Sequence, residues 1–209
     1  MRSEIAGKYM EKYSLGVVDA QNSLQSYNSY FRNMGFSGTI EELVKERLAK
    51  KSPVLILDIG CGNAGFLHGL KEIFGPKIRT IGIDLIEPPM ENQPDEMFMG
   101  DAAETKFPEK IDFVFSFRAL HEIGEPEKIV EKAYNCLAPG GKAFLSFRTM
   151  DLSTGQKGLE EIREKEIKSL LKMVRSRRLK GFRVEGFEVS VKDENGKKLT
   201  AGVNVFLEK

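Results

Sequence analysis

Residues 57–65 read LDIGCGNAG and bring together groups suited to holding a small polar ligand. Gly60, Gly62 and Gly65 have the spacing G-x-G-x-x-G, which lets the backbone approach a ligand closely at the start of a helix. A nucleoside triphosphate site needs Lys-Ser/Thr after such a loop, to hold the terminal phosphates and Mg²⁺. Phe66-Leu67 stand there instead, which excludes that chemistry. A dinucleotide site needs an acid about 20 residues further on for the ribose hydroxyls, and Asp84 meets that requirement. Asp58, two residues ahead of the first glycine, fits it badly. A carboxylate there repels a pyrophosphate and attracts an ammonium group.

Other side chains with possible chemistry are few. The histidines are His68 and His121, and HEIGE at 121–125 lacks the second histidine of a zinc-binding H-E-x-x-H. His121, beside Glu122, is the candidate general base. Cys61 and Cys136 are too few for a disulfide framework or a structural zinc site. No metal is expected.

The elements that must position these residues follow from the apolar pattern. VLILDI reads as a buried parallel strand and AGFLHGLKEIF as the helix after it. IRTIGIDL, a short EMFMG and IDFVFSF are further strands, PEKIVEKAYNCL is helical, and GKAFLSF is a strand after the turn APGG. The order βαβαβ…αβ predicts a doubly wound sheet with helices on both faces. Towards the C-terminus, Leu159, Ile162, Leu170, Leu171 and Val174 mark a long helix. Phe187, Val189 and Val191 then alternate, as do Leu199, Ala201, Val203, Val205 and Leu207, with Asn195-Gly196 between them as the signal of an antiparallel hairpin.

Ahead of the first strand, Ile5, Tyr9 and Tyr13 recur at helical spacing, as do Leu24, Tyr27, Phe31 and Met34. GFSG then separates these from a helix opened by the capping box of Thr39 and Glu42. Four of the five tyrosines, Tyr9, Tyr13, Tyr27 and Tyr30, lie in this N-terminal region, which makes it the candidate lid.

The 209 residues suffice for one sizeable core, and 41% hydrophobic with 30% charged residues is ordinary for a globular chain. A net charge of +1 implies no global affinity for polyanions. No apolar run approaches the ~20 residues of a membrane helix, and no signal-peptide core opens the chain, so a cytoplasmic protein with reduced thiols is expected.

S-adenosylmethionine carries an ammonium, a sulfonium and a ribose diol but no phosphate, which accounts for Asp58 and Asp84 together. The blocks VLILDIGCGNAGF, IGIDL, GDAAETKFPEKIDFVFSFRALHEI and LAPGGKAFLSF, in this order, resemble the class I S-adenosylmethionine-dependent methyltransferases. The resemblance covers Pro53 to Phe147, and its third block is most similar to members that methylate small molecules. It implies an α/β fold: a doubly wound, mostly parallel seven-stranded sheet with an antiparallel C-terminal hairpin and a helical N-terminal cap. One domain, residues 1–209, would comprise a cap over 1–50 and a Rossmann-like cofactor-binding core over 53–209.

Position by position, the resemblance implies that Asp58 lies near the methionyl ammonium and that the backbone of Gly60, Cys61 and Gly62 packs against the methionine moiety. Asp84 would accept from both ribose hydroxyls, with Leu85 beside the adenine. Asp101 would accept from the adenine amino group and the Ala102 N–H would meet a ring nitrogen. Phe117 and Arg118 would face the methionyl group or the adenine.

Methyl transfer to a small-molecule acceptor is therefore expected. SFRAL after the fourth strand lacks the D/N-P-P-Y/F of amino-methylating enzymes that resemble one another, the acid of catechol-type metal-dependent enzymes, and the Asp of ribose methyltransferases. Between Arg163 and Arg183, nine Lys/Arg stand against two Glu, so an RNA or protein acceptor on a basic helix is the alternative. A binding module without turnover is the other.

Overall fold

The computed structural model describes residues 22–117, 119, 126–148, 168–169, 172–173, 181–192 and 198–209. Strands β1 (Val54–Ile59), β2 (Ile78–Asp84), β3 (Glu96–Met99), β4 (Ile111–Phe117), β5 (Leu137–Arg148), β6 (Phe182–Lys192) and β7 (Lys198–Glu208) form one sheet in the order β3-β2-β1-β4-β5-β7-β6. Pairing is parallel from β3 through β5, and β7 runs antiparallel to both β5 and β6. The order reverses at β1, so the carboxyl ends of β1 and β4 flank a crevice, the usual ligand position in such sheets.

Helices α1 (Leu24–Asn33), α2 (Ile40–Leu48) and α3 (Gly65–Phe74) pack on one face with Ile56, Phe113, Phe115 and Phe144. Helix α4 (Pro126–Cys136) packs on the other through Ile129, Val130 and Ala133 against Leu57, Val114, Ala143 and Leu145. The alternation of strand side chains feeds both layers, which is why β4 is buried along its whole length. The capping box forms: Thr39 Oγ accepts the Glu42 N–H at 3.3 Å while Glu42 Oε2 accepts the Thr39 N–H at 2.9 Å.

Several expected boundaries move. Among the described residues the β2–β3 link holds only a short 3₁₀ turn at Met90–Asn92, and the β3–β4 link has no helix. Pro88, Pro89 and Pro94 stop a helix in the first of these. Strand β5 begins at Leu137, ahead of the expected glycine turn, and its pairing with β4 shifts between Ile111 and Phe113. Phe182 and Arg183 lie in β6, so the basic run does not continue as one helix to 183. The N-terminal tyrosines Tyr9 and Tyr13, the rest of the expected long helix apart from 168–169 and 172–173, and Asn195-Gly196 lie outside the described residues.

Candidate cofactor site

Asp58 is the fifth residue of β1 and Asp84 the last of β2, and parallel pairing brings their ends together. The loop between β1 and α3 is held on β2. The Gly60 and Cys61 N–H groups donate to the Ile83 carbonyl at 2.7 and 3.3 Å. Asp84 fixes the next residue: its Oδ2 accepts the Gly62 N–H at 2.7 Å and its Oδ1 the Ile86 N–H at 3.1 Å. Ser116 donates to the Ile59 carbonyl at 2.7 Å, locking the end of β1 to β4.

Glycine at 60 has two causes. Its φ is +73°, and a Cβ there would lie 2.1 Å from that of Ala119, where the chain leaving β4 crosses the loop. This glycine serves chain packing before it serves any ligand. Ala64 precedes α3 in the left-handed region without capping the helix, and Asn63 Oδ1 accepts the Gly65 N–H at 3.1 Å instead.

Asp58 is fully buried and its partner comes from α1. The Tyr27 hydroxyl donates to both carboxylate oxygens, at 3.1 and 3.0 Å. Tyr27 is itself fully buried, stacked on Phe66 at 4.0 Å between centroids and edge-on to Phe117 at 5.0 Å. Helix α1 comes this close because Gly69 of α3 offers no side chain, and a Cβ there would lie 3.2 Å from that of Leu24. Spacing placed Tyr27 on a helix, but no sequence signal links it to Asp58.

Burial pushes the Asp58 carboxyl well above its usual range; the Tyr27 hydroxyl pulls it down and the charge of Asp84 pushes it further up. Asp84 is also raised by burial, against the Gly62, Ile86 and Leu85 N–H groups that favour its charge. Burial, then Asp58 and Asp84, raise the Cys61 thiol well above normal, so it stays protonated and packs beside Met97. Among the described residues neither carboxylate has a cationic partner.

Asp58, Gly60, Cys61, Gly62, Asp84, Leu85 and Phe117 thus gather at one end of the sheet, with Leu85 partly exposed and Phe117 buried. The loop bearing Asp101 and the buried Ala102 follows β3 and is joined to this end by Gly100, whose N–H donates to the Asp84 carbonyl at 2.8 Å. Asp101 Oδ1 accepts the Ala103 N–H at 2.8 Å within its own loop. Arg118 and His121 lie outside the described residues, and among those described there is no metal-binding cluster. The other histidine, His68, lies on α3 at 3.6 Å from Glu72 and away from this chemistry.

Residues 57–145 match a family model described as a methyltransferase domain. No curated protein matches the chain. Among solved structures it is similar to phosphoethanolamine N-methyltransferase 2 of Haemonchus contortus, in complex with phosphomonomethylethanolamine and S-adenosylhomocysteine. That match has a TM-score of 0.55 and 16% identity, covering 81% of this chain and 52% of that one. It is also similar to an arsenic(III) S-adenosylmethionine methyltransferase of Chlamydomonas reinhardtii, with TM-score 0.55 and 16% identity over 76% of this chain and 64% of that one. The chain thus spans about half to two thirds of the length of these two proteins, and the likeness is one of fold.

Proposed function

On the premise that residues 57–145 belong to the methyltransferase domain family, we propose that this chain is a class I S-adenosylmethionine-dependent methyltransferase acting on a small molecule. The observation that carries the proposal is the pair of buried carboxylates, Asp58 and Asp84, across the Gly60–Gly62 loop with no cationic partner among the described residues. Two buried acids without a counter-cation are costly to the protein alone, and a ligand bearing positive charge relieves them. The donor set suits S-adenosylmethionine. Asp84 accepts the Gly62 and Ile86 N–H groups, with the Leu85 N–H also turned to it, which leaves part of its lone-pair capacity for the ribose hydroxyls.

In this proposal Asp58 holds the methionyl ammonium and the Gly60, Cys61 and Gly62 backbone bears the methionyl chain. Leu85 lies beside the adenine, Asp101 accepts from its amino group and the Ala102 N–H meets a ring nitrogen, while Phe117 and Arg118 face the methionyl group or the adenine. When bound, the cofactor would supply an electrophilic methyl group to a nucleophilic atom of the acceptor, its sulfur leaving as a neutral thioether. The chain's own residues align the partners and keep water out. Tyr27, Phe66 and Phe117 put aromatic surface beside Asp58, and such faces attract a cation by about 0.5–2 kcal/mol. Residues 1–50 act as the cap of a single cytoplasmic domain, and His121 takes the acceptor proton where there is one to lose.

Calorimetry with S-adenosylhomocysteine, followed by label transfer from methyl-labelled S-adenosylmethionine to small-molecule and RNA fractions of a cell extract, tests this. Binding and label in a small molecule are expected. Label confined to RNA would move the acceptor to the basic run, binding without transfer would leave a cofactor-binding module, and no binding would overturn the proposal.

A further inference from the structure

Beside the proposed cofactor site the sheet carries two buried polar side chains that have no hydrogen-bond partner among the described residues. Ser146 of β5 is opposite Phe117 of β4 on one side and Asn204 of β7 on the other. Their relative exposures are 9% and 8%. Among the described residues neither side chain has a hydrogen-bond partner, whereas the fully buried Asp58 and Ser116 at this end are both bonded. A buried hydroxyl and a buried amide left unpaired cost the fold about 1–3 kcal/mol each. Such groups call for an explanation, and a ligand that bonds both is one.

Strand alternation fixes where they point. Phe144 and Phe206 lie two residues before and after Ser146 and Asn204, and both pack on the α1–α3 face. Ser146 and Asn204 share that face, one step nearer the carboxyl end of β5, next to Phe117 and so next to the Tyr27–Asp58 pair. On this face Asp58 of β1 is level with Phe115 of β4, while Phe117, one step nearer the carboxyl ends, is level with Ser146 and Asn204. The cofactor's charged groups belong at Asp58 on β1, so a molecule receiving the methyl belongs further across the sheet, at Ser146 and Asn204.

We infer that Ser146 and Asn204 form the polar floor of the acceptor site and hold a neutral, largely apolar molecule by a hydroxyl or amide group. The inference rests on the methyltransferase reading above. Ser146 can donate once and accept, and Asn204 can donate twice and accept, so the pair matches a group that both gives and takes hydrogen bonds. Phe117, Phe144 and Phe206 supply an aromatic wall, and neither floor residue carries charge to bind a phosphate or a carboxylate. These two residues position the acceptor and do no bond chemistry.

The test uses the full chain saturated with S-adenosylhomocysteine and two probes, phenol and toluene, followed by ligand-observed NMR. The wild type should bind phenol more tightly than toluene. Ser146→Ala and Asn204→Leu should each weaken phenol about fivefold, leave toluene and S-adenosylhomocysteine unchanged, and keep or raise Tm, because an unpaired polar group has been removed. A structural role for either residue would lower Tm instead. Equal binding of phenol and toluene by the wild type, unchanged phenol binding in both variants, or a drop in Tm in both would overturn the inference and leave the cofactor proposal standing. A wild type that binds no S-adenosylhomocysteine overturns the cofactor proposal, and this inference falls with it.

Discussion

Replacing Tyr27 with Phe removes one oxygen and keeps the ring stacked on Phe66. What goes is a hydroxyl donating to both oxygens of a carboxylate with no other hydrogen-bond donor or counter-charge among the described residues. A hydrogen bond to a charged group contributes about 1.5–3 kcal/mol net, and one to a neutral group about 0.5–1.5 kcal/mol. Which applies depends on the ionisation of Asp58, so the loss must depend on pH. Asp58 is held well above the usual carboxylate range, so its contribution to stability is full at low pH and is lost as pH rises through the folded-state value. The Tyr27 hydroxyl favours the charged form, and without it the folded-state value rises further. The wild type and Tyr27→Phe should therefore differ least near pH 4 and most above the folded-state value. For a chain of this size the charged-bond loss lowers Tm by roughly 3–12 °C at about 2–4 °C per kcal/mol.

The same variant reports on the site. A bound ammonium replaces the hydroxyl as the partner of Asp58, so the stability gap between wild type and variant should narrow when S-adenosylhomocysteine is saturating. Urea unfolding over a pH series from about 4 upward, with and without S-adenosylhomocysteine, measures both gaps. A loss that stays constant across the whole series would refute the ionisation argument. A loss undiminished by the ligand would refute the placement of the ammonium at Asp58.

Asp84→Asn keeps an acceptor oxygen for one backbone N–H but loses the charge, and should weaken S-adenosylhomocysteine at least tenfold by calorimetry, about 1.4 kcal/mol. Binding to the wild type should tighten as pH rises through the raised value of Asp58, because the ammonium favours the ionised acid; Asp58→Asn should flatten that profile while raising stability at pH 8 relative to pH 5. Gly60→Ala would set a Cβ 2.1 Å from that of Ala119 at a φ of +73°, and should lower stability by more than about 2 kcal/mol in urea unfolding. Arg47→Ala removes one partner of buried Asp112 while Lys51 and the Leu55 N–H remain, and should cost about 1–3 kcal/mol with the affinity for S-adenosylhomocysteine unchanged.

The sequence made the strands legible because buried parallel strands are continuous apolar runs, and VLILDI and IDFVFSF align with β1 and β4 without adjustment. The Thr39–Glu42 cap was legible because it is local. Asp58, Asp84 and the loop glycines could be picked out as a group because chain order fixes which strand ends meet. Pairings across distant segments could not. The donor to Asp58 is 31 residues away on another element, and nothing in its neighbourhood distinguishes Tyr27 from Tyr30. Ser146 and Asn204 are legible only as polar residues interrupting alternating strands, since their pairing is set by β7 inserting between β5 and β6.

The two ends of the sheet divide stability and ligand chemistry between them. At the amino end of β4, Asp112 is as buried as Asp58, yet it is met by Arg47 at 2.7 Å, Lys51 at 2.8 Å and the Leu55 N–H at 2.9 Å, and Arg47 also donates to the Pro139 carbonyl. That acid joins α2 to β1, β4 and the start of β5, and its charge is satisfied within the protein. At the carboxyl end, among the described residues, Asp58 has one neutral hydroxyl, Asp84 has only backbone donors, and Ser146 and Asn204 have no partner. Unmet polar capacity spread at random through a core would mark a poorly specified fold. Among the described residues it gathers at one end, where the strand order reverses and a ligand can complete it. Variants at the amino end should therefore change stability without changing affinity. At the carboxyl end, loss of the carboxylate at Asp58 or of the Ser146 or Asn204 polar group should weaken ligand binding with stability kept or raised, the inverse relation expected where polar groups are kept for a ligand.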